Sequence, residues 1–377
     1  MTVVLVVALV LLAYTYIGYP VALQIVTFFF RAHRAESSIA GQAQPMVSVF
    51  LSVHNGAAFL PKKIASLLAQ DYPADRLEIL IYSDGSTDDT VATARALART
   101  PAARGRIRVV PVAERRGKPT GLNTLRALAR GDLILLNDVR QPLEPGAISA
   151  LADAMSDPAV GCATGNLIVE GKAGSGIYWR YENWIRQQES RFRGVVGMTG
   201  PIAMVRRADL ESLPEDVILD DVWIPMQLAL RGKRVTFVPE AKAYDTAFDD
   251  QREFRRKVRT LAGNYQIFAR MPALVVPFKN PIWFETVSHK VLRLAAPWLL
   301  LALAVASAGA PSLVIGQLAF YAAALLGVRA GRVGSVARTF VVLNAAAVAG
   351  LWGFATGRQS VTWTVTQASP AEERRAA

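Results

Sequence analysis

Apolar runs of two lengths divide the chain into three parts. The first run, VVLVVALVLLAYTYIGYPVALQIVTFFF (3–30), has no charge and is longer than the roughly 20 apolar residues that a helix needs to cross a bilayer. Three further long runs lie at 291–310, 312–328 and 340–356. Between the first long run and the run at 291–310, all apolar runs are short. This pattern predicts an N-terminal transmembrane anchor, a central domain and about three C-terminal transmembrane helices.

The central part alternates short apolar runs with amphipathic stretches. The short runs predict strands at 46–53, 77–84, 107–112, 133–136, 160–170 and 234–241, with one more strand after the glycine-rich loop in 194–207. Between the first two strands, Phe59, Ile64 and Leu67 recur at helical spacing. Strands and helices that alternate at this pace predict one α/β domain built on a parallel sheet.

Composition shifts give the predicted boundaries. They are an anchor (1–30), a small polar linker (31–45), the α/β domain (46–275), an interfacial segment with Pro, Trp and Phe (276–290), the C-terminal helices (291–357) and a tail (358–377). The basic flank RAHR (31–34) and the basic loop RAGRVGSVAR (329–338) predict a cytoplasmic domain and an outside N-terminus. Counting spans places the tail outside. Any single span could instead be a buried helix of a soluble protein.

The charge and the composition together limit the possible functions. The net charge is +12 and the mean hydropathy is +0.26, but no aromatic-interleaved basic patch or nucleic-acid-binding motif is present. Anionic membrane lipid and a phosphorylated substrate explain the charge instead. Cys162 is the only cysteine, so the chain has neither a disulfide framework nor a cysteine zinc site. The frequent use of alanine and arginine is typical of a bacterium with a GC-rich genome, and in a bacterium the predicted spans would place the protein in the inner membrane. Nothing in the sequence indicates a protein partner.

Polar residues follow several predicted strands and should meet at one edge of the sheet. They are His54 and Asn55, Ser83 and Asp84, Lys118 and Asn123, and Asp138 and Arg140. Asp84 could accept hydrogen bonds from a base or ribose, and Lys118 and Arg140 could pair with phosphate oxygens. Asp138 could hold a divalent cation. The alternative is structural, since SDGSTDD also fits an Asx-turn and a helix cap.

Two further groups of charged residues lie later in the chain. Asp220 and Asp221 begin a predicted helix, where a carboxylate can cap the backbone or act as a general base. Arg256 and Arg259 could bind a leaving diphosphate, or they could form a basic strip on lipid headgroups. The residues alone leave both alternatives open.

In order and spacing these segments resemble the membrane-integrated glycosyltransferases of family 2, such as cellulose, hyaluronan and poly-N-acetylglucosamine synthases. VSVFLSVHNGAAFLPKKIASLLAQDYP resembles the first strand and helix of that family's domain. YSDGSTDDT resembles its DDGSTD turn, which implies that Asp84 contacts uracil. RRGKPTGLN is similar to RxGKxxALN, which implies that Lys118 lies near the diphosphate. The resemblance implies an α/β GT-A domain, a Rossmann-like nucleotide-diphospho-sugar transferase fold, together with α-helical transmembrane segments.

Two motifs depart from the family pattern. LNDVRQ lies where the family has its DxD metal motif, with Asp138 at the first aspartate and Arg140 at the second. The implied Mg²⁺ or Mn²⁺ ion would be held by Asp138 with water and phosphate, or Arg140 would supply part of its charge. RKVRT lies where processive members have QxxRW. Arg259 matches the arginine, Arg256 replaces the glutamine, and Thr260 replaces the tryptophan that would stack on the acceptor sugar.

The remaining motifs imply the chemistry. GMTGPIAMVRR, with Gly197 and Gly200, resembles the acceptor loop of the family. ILDDVWIP lies where the family has its TED motif. Asp221 therefore matches the catalytic base, and Asp220 matches the acidic residue before it. The resemblance implies an inverting transferase that moves a sugar from a nucleotide sugar, UDP-linked by preference, to a polysaccharide or lipid-linked acceptor. One alternative is transfer of a single sugar to a lipid phosphate carrier. Another is an inactive membrane scaffold of the same fold.

Overall fold

A computed structural model describes residues 2–29, 44–170, 175–246, 250–360 and 362, without the side chains of 170, 175–178 and 250. The basic flank at 31–34, nearly all of the predicted linker and most of the predicted tail therefore lie outside the described residues.

The strands form where short apolar runs can be buried. In order they are β1 (Val47–Val53), β2 (Leu77–Asp84), β3 (Ile107–Val112), β4 (Leu133–Asn137), β5 (Val160–Glu170), β6 (Ile202–Arg206) and β7 (Arg234–Thr246). Every residue of β1, β2 and β4 is buried. Burial at every position, on both sides of the strand, is typical of strands covered on both faces.

The helices in the described residues follow the amphipathic and the long apolar stretches. They are α1 (Thr2–Ala13), α2 (Tyr19–Phe29), α3 (Leu60–Leu68), α4 (Thr90–Ala98), α5 (Lys118–Leu128), α6 (Ala147–Ala154), α7 (Ser175–Phe192), α8 (Asp220–Leu230), α9 (Asp250–Arg270), α10 (Trp283–Glu285), α11 (Leu292–Ala306), α12 (Pro311–Leu326) and α13 (Gly331–Ala355). A single π-helical turn, Tyr14–Gly18, joins α1 to α2.

The sheet has the strand order β3-β2-β1-β4-β6-β5-β7. Strands β1 to β4 are parallel to one another, and β5 is parallel to β7, whereas β6 is antiparallel to both β4 and β5. The prediction of a purely parallel sheet was therefore wrong at β6. Between β5 and β6 the chain passes through α7, and β6 then runs back along β5, with Thr164 opposite Ala203 and Cys162 opposite Val205.

The direction of β6 has a consequence for the edge where β1, β2 and β4 end. Because β6 pairs with β4 in the antiparallel sense, the loop before β6 lies at the carboxyl end of β4. Backbone pairing thus brings the loop at 197–201 to the strand ends that carry the predicted polar residues.

The chain divides into two compact units. We call the described residues 44–170 and 197–246 the sheet unit, and 2–29, 175–196 and 250–359 the helical unit. Residues 175–196 and 250–275, which fall within the predicted domain 46–275, group with the long apolar helices. The predicted domain boundaries stay a prediction.

The helical unit is packed by aromatic residues and a buried polar network. Tyr19 and Leu23 form a core with Ile185 of α7. The hydroxyl of Tyr19 donates to Glu189 Oε1 at 2.7 Å, and the ring nitrogen Nδ1 of His289 lies 2.6 Å from the same oxygen. Buried polar groups of this kind are stable when they are paired.

Within the described residues, three helical segments are long and apolar enough to cross a membrane: Thr2–Phe29, Trp283–Ala306 and Pro311–Ala355. The last one contains α12 and α13, and its apolar side chains point outward; Leu325, for example, is 87% exposed. The segment 329–338 was predicted to be a loop, and most of that prediction was wrong. The turn needs only a short 3-10 segment, Gly327–Ala330, with positive φ at Gly327 and Gly331, and the residues after it are helical.

Candidate active site

The ends of β1 and β2 are joined by polar contacts. Nδ1 of His54 lies 2.7 Å from the backbone oxygen of Asp84. The side-chain oxygen of Asn55 accepts a hydrogen bond from the backbone N–H of Thr87 at 2.8 Å. Ser83 is buried, and its hydroxyl donates to Ser86 at 2.9 Å. These contacts fix the turn after β2. A structural role in a turn was the alternative interpretation of the segment SDGSTDD.

The carboxylate of Asp84 shapes the segment that leads to α5. It is buried, and its two oxygens accept the backbone N–H groups of Arg116 at 2.7 Å and Gly117 at 3.0 Å. Asp84 therefore positions the first turn of α5. The predicted contact of Asp84 with a base stays a prediction.

Gly85 allows this close approach of two backbone segments. Its φ is +58°, and a Cβ atom at this position would lie 2.7 Å from the backbone nitrogen of Arg115. Both the conformation and the contact require glycine here.

Lys118 stands between two carboxylates. Its Nζ lies 3.0 Å from Asp138 Oδ1 and 2.9 Å from Asp220 Oδ2. Burial would lower the pKa of the ammonium, but the charges of Asp138 and Asp220 raise it above its ordinary value. Lys118 is therefore a fixed cation at the sheet edge. Its side chain is 15% exposed, whereas that of Asp138 is 37% exposed.

The loop before β6 lies against the start of α8. The backbone N–H of Met198 donates to the backbone oxygen of Asp221 at 2.8 Å. A Cβ atom at Gly200 would lie 3.5 Å from Asp221 Oδ2. Gly197, also in this loop, is buried and has a φ of +146°. The glycine at 200 thus leaves space beside the carboxylate of Asp221, as an incoming hydroxyl group would need.

Arg140, in the turn after β4, is paired with Asp245 at the end of β7. Arg140 Nη2 lies 2.6 Å from Asp245 Oδ1. The other oxygen of Asp245 accepts from Gln141 Nε2 at 2.7 Å. The backbone oxygen of Gln141 in turn accepts from the ammonium of Lys63. This network holds the turn after β4.

Sequence reasoning missed both Asp245 and Lys63. Asp245 lies 105 residues from Arg140 and beyond the end of the predicted strand 234–241, so no sequence pattern marked it. Lys63 lies between Phe59 and Leu67 at a spacing of four residues, so it occupies an apolar helical position. A lysine at such a position is a signal that could have been recognised. It is fully buried, and burial lowers the pKa of its ammonium to about 7 against the opposing effect of Asp138.

Asn123 has a different setting from the other predicted residues. Its Nδ2 donates to the backbone oxygen of Leu213, and its Oδ1 accepts from the backbone N–H of the same residue, both at 2.8 Å. Asn123 therefore joins α5 to the segment before α8. A contact of Asn123 with the nucleotide sugar stays a prediction.

Arg256 and Arg259 belong to α9 of the helical unit. Arg256 pairs with Glu253 of the same helix at 3.1 Å, and Arg259 is half-buried. Their predicted contact with a diphosphate stays a prediction.

The side chains at the predicted metal position do not fit a preformed site for a divalent ion. Mg²⁺ and Mn²⁺ prefer several oxygen ligands. In the described part of the chain, no group of three or more His, Cys, Asp or Glu side chains could hold a metal ion. Asp138 is paired with Lys118 through one oxygen, and the second motif position is a guanidinium paired with Asp245.

Comparison with known families gives two matches. The sequence model of Glycosyl transferase family 2 matches residues 48–213, and that of Glycosyl transferase family group 2 matches residues 138–350, which is more than half of the chain.

Curated relatives are similar over part of their length. An N-acetylglucosaminyltransferase of Mesorhizobium japonicum is 30% identical over 226 residues, which cover 54% of this chain and 52% of that protein. An N-acetylglucosaminyltransferase of Rhizobium meliloti is 27% identical over 276 residues, which cover 66% of this chain and 63% of that protein. The chain thus spans about half the length of the first relative and somewhat more of the second.

A solved structure shows the same fold. It is mannosyltransferase PcManGT from Pyrobaculum calidifontis, in complex with GDP-Man and Mn²⁺. The two structures superpose with a TM-score of 0.75 at 24% sequence identity, and the alignment covers 94% of this chain and 99% of PcManGT. The expected GT-A fold is confirmed. The chain belongs to the family 2 glycosyltransferases.

Proposed function

We propose that the protein transfers a sugar, with inversion, from a UDP-sugar to an acceptor hydroxyl. The observation that carries this proposal is the arrangement at one sheet edge, where the cation of Lys118 lies beside Asp220 and the next residue, Asp221, borders the space left by Gly200. The similarity to N-acetylglucosaminyltransferases supports N-acetylglucosamine as the sugar that is transferred.

In this proposal Asp221 is the general base. Its carboxylate takes the proton of the acceptor hydroxyl, whose oxygen attacks the anomeric carbon from the face opposite the diphosphate. The new bond forms as the bond from the anomeric carbon to the diphosphate oxygen breaks, and UDP leaves with both electrons. Lys118 stabilises the charge that develops on the leaving diphosphate. The predicted Mg²⁺ or Mn²⁺ ion has no step in this mechanism, because the side chains at its place do not fit it.

The acceptor is a glycan or a lipid-linked sugar at a membrane, most simply the bacterial inner membrane with the sheet unit in the cytoplasm. The three long apolar helical segments in the described residues support a membrane location.

One observation favours the alternative of a single transfer to a lipid phosphate carrier. Thr260 stands where processive family members have a tryptophan, and its hydroxyl donates to the backbone oxygen of Arg256 at 3.0 Å. A side chain turned to its own helix offers no stacking surface for a growing glycan.

The test is UDP release by the purified full-length protein in detergent with a panel of UDP-sugars and acceptors. We expect Asp221→Asn to lower the turnover number by about 10²- to 10⁴-fold, the usual contribution of a general base, and to leave UDP binding nearly unchanged. Asp75→Asn is a matched control, because Asp75 is exposed on the sheet unit. Full activity of Asp221→Asn would refute the base. Sugar transfer by the wild type would exclude the inactive scaffold, and the length of the product would separate the two acceptors.

A further inference from the structure

We propose that Lys118 takes the place of the divalent cation in this protein, so that UDP binding and sugar transfer do not require a metal ion. The inference rests on the proposed function, because it concerns the diphosphate of the same donor.

The first observation is the position of the ammonium. Lys118 Nζ contacts one oxygen of Asp138 and one of Asp220, at 3.0 and 2.9 Å. These are the distances of direct ion pairs, so the ammonium fills the space between the two carboxylates. A divalent ion bound there would have to approach a fixed positive charge and displace it from both partners.

The second observation is the inverted charge at position 140. A guanidinium stands where the family motif has its second carboxylate. The nearby carboxylate of Asp245 cannot replace it as a ligand, because donors already point at both of its oxygens. Oδ1 accepts from Arg140 and from the backbone N–H of Thr246 at 2.6 and 2.8 Å, and Oδ2 accepts from Gln141 at 2.7 Å. Asp245 is also nearly buried, with a side chain that is 8% exposed.

The third observation is the cationic segment itself. RRGK (115–118) places three cations within four residues. Asp84 holds the backbone of this segment through Arg116 and Gly117. The side chain of Arg116 is 55% exposed, and its only partner in the described residues is the exposed Glu215 at 3.2 Å. A diphosphate at this edge therefore meets positive charges that the backbone has already positioned, which is the task that a metal ion performs elsewhere.

The test measures UDP binding to the full-length protein in detergent by calorimetry, once in EDTA and once in Mn²⁺. We expect dissociation constants that agree within about twofold, and transfer that continues in EDTA. UDP binding that weakens by about tenfold or more in EDTA would overturn the inference and leave the proposed function intact. Absence of UDP binding in both buffers would overturn the proposed function as well.

Variants sharpen the test. Lys118→Met should weaken UDP binding by about tenfold or more in both buffers, whereas Lys62→Met, at an exposed position of α3, should not change it. Thermal unfolding checks that Lys118→Met is folded.

A second variant does not depend on removing Lys118. Arg140→Asp combined with Asp245→Ser rebuilds the two-carboxylate motif and removes the partner of Arg140. We expect Mn²⁺ to strengthen UDP binding in this double variant and not in the wild type. Equal strengthening by Mn²⁺ in both proteins would contradict the inference.

Discussion

The ammonium of Lys118 lies 2.9 Å from the carboxylate of Asp220, the residue directly before the proposed base Asp221. Through this ion pair the first turn of α5 is tied to the first turn of α8. Asp220 is nearly buried beside the lysine, whereas Asp221 borders the open space at Gly200. Two neighbouring aspartates that look alike in the sequence therefore have different surroundings and different proposed tasks.

This difference predicts distinct effects of two conservative substitutions. Asp220→Asn removes one of the two charges that hold Lys118, so we expect weaker UDP binding and a loss of about tenfold in kcat/KM. Asp221→Asn should instead lower kcat and spare UDP binding. Steady-state kinetics and calorimetry of both variants check this division. If Asp220→Asn left UDP binding unchanged and abolished turnover, the two assignments would be exchanged.

Gly200 gives a prediction about the acceptor. The Cβ of alanine at this position would make an ordinary van der Waals contact with Asp221 Oδ2 at 3.5 Å, so Gly200→Ala should fold normally. The added methyl group takes space that the acceptor hydroxyl needs. We expect a higher KM for the acceptor and an unchanged dissociation constant for UDP, measured by initial rates and calorimetry. An unchanged acceptor KM would show that the acceptor enters from another side.

Much of the sheet unit was predictable, because burial alone specifies its strands. The runs of β1, β2 and β4 are apolar at most positions, and the structure has strands at the same places. The glycines and polar residues that follow them mark the turns. The direction of β6 was not predictable by this route, because a short apolar run has the same pattern in either direction.

The site was predictable only where its residues belong to local motifs. Lys118 and Asp138 each follow from their own segment. The partner of Arg140 does not, because Asp245 lies on β7 and reaches Arg140 only through the pairing of the strands. Long-range pairing of this kind changes what a residue can do. Arg140 was expected to pair with phosphate oxygens or to supply part of the charge of the metal ion, and the structure pairs it with the carboxylate of Asp245.

Lys63 gives a prediction about stability and pH. Its folded-state pKa is about 7, below the ordinary value of 10.5, because burial disfavours the charge. Between these two values the unfolded chain binds one more proton than the folded protein, so the free energy of unfolding should rise with pH by about 1.4 kcal/mol per unit from this group. The contribution is lost as the pH falls towards 7.

The variant Lys63→Met should flatten this rise, because methionine has no proton to gain or lose. Chemical unfolding between pH 7 and 9 measures the slope. Lys62→Met, next to it on α3 but exposed, should keep the wild-type slope. Equal slopes in wild type and Lys63→Met would show that Lys63 stays charged in the folded protein.

Gly85 and Gly105 form a matched pair that isolates the effect of close backbone packing at the site. Both have positive φ, +58° and +74°, so alanine at either position should cost about 1–2 kcal/mol of unfolding free energy from conformation alone. At Gly105 a Cβ atom meets nothing within 4 Å, whereas at Gly85 it would lie 2.7 Å from the backbone nitrogen of Arg115. Gly85→Ala must therefore displace the segment 115–118, which Asp84 holds and which ends at Lys118.

We expect Gly85→Ala to be less stable than Gly105→Ala in chemical unfolding and to weaken UDP binding, while Gly105→Ala binds UDP as the wild type does. Equal UDP binding by the two variants would mean that the position of the 115–118 segment does not control the donor site.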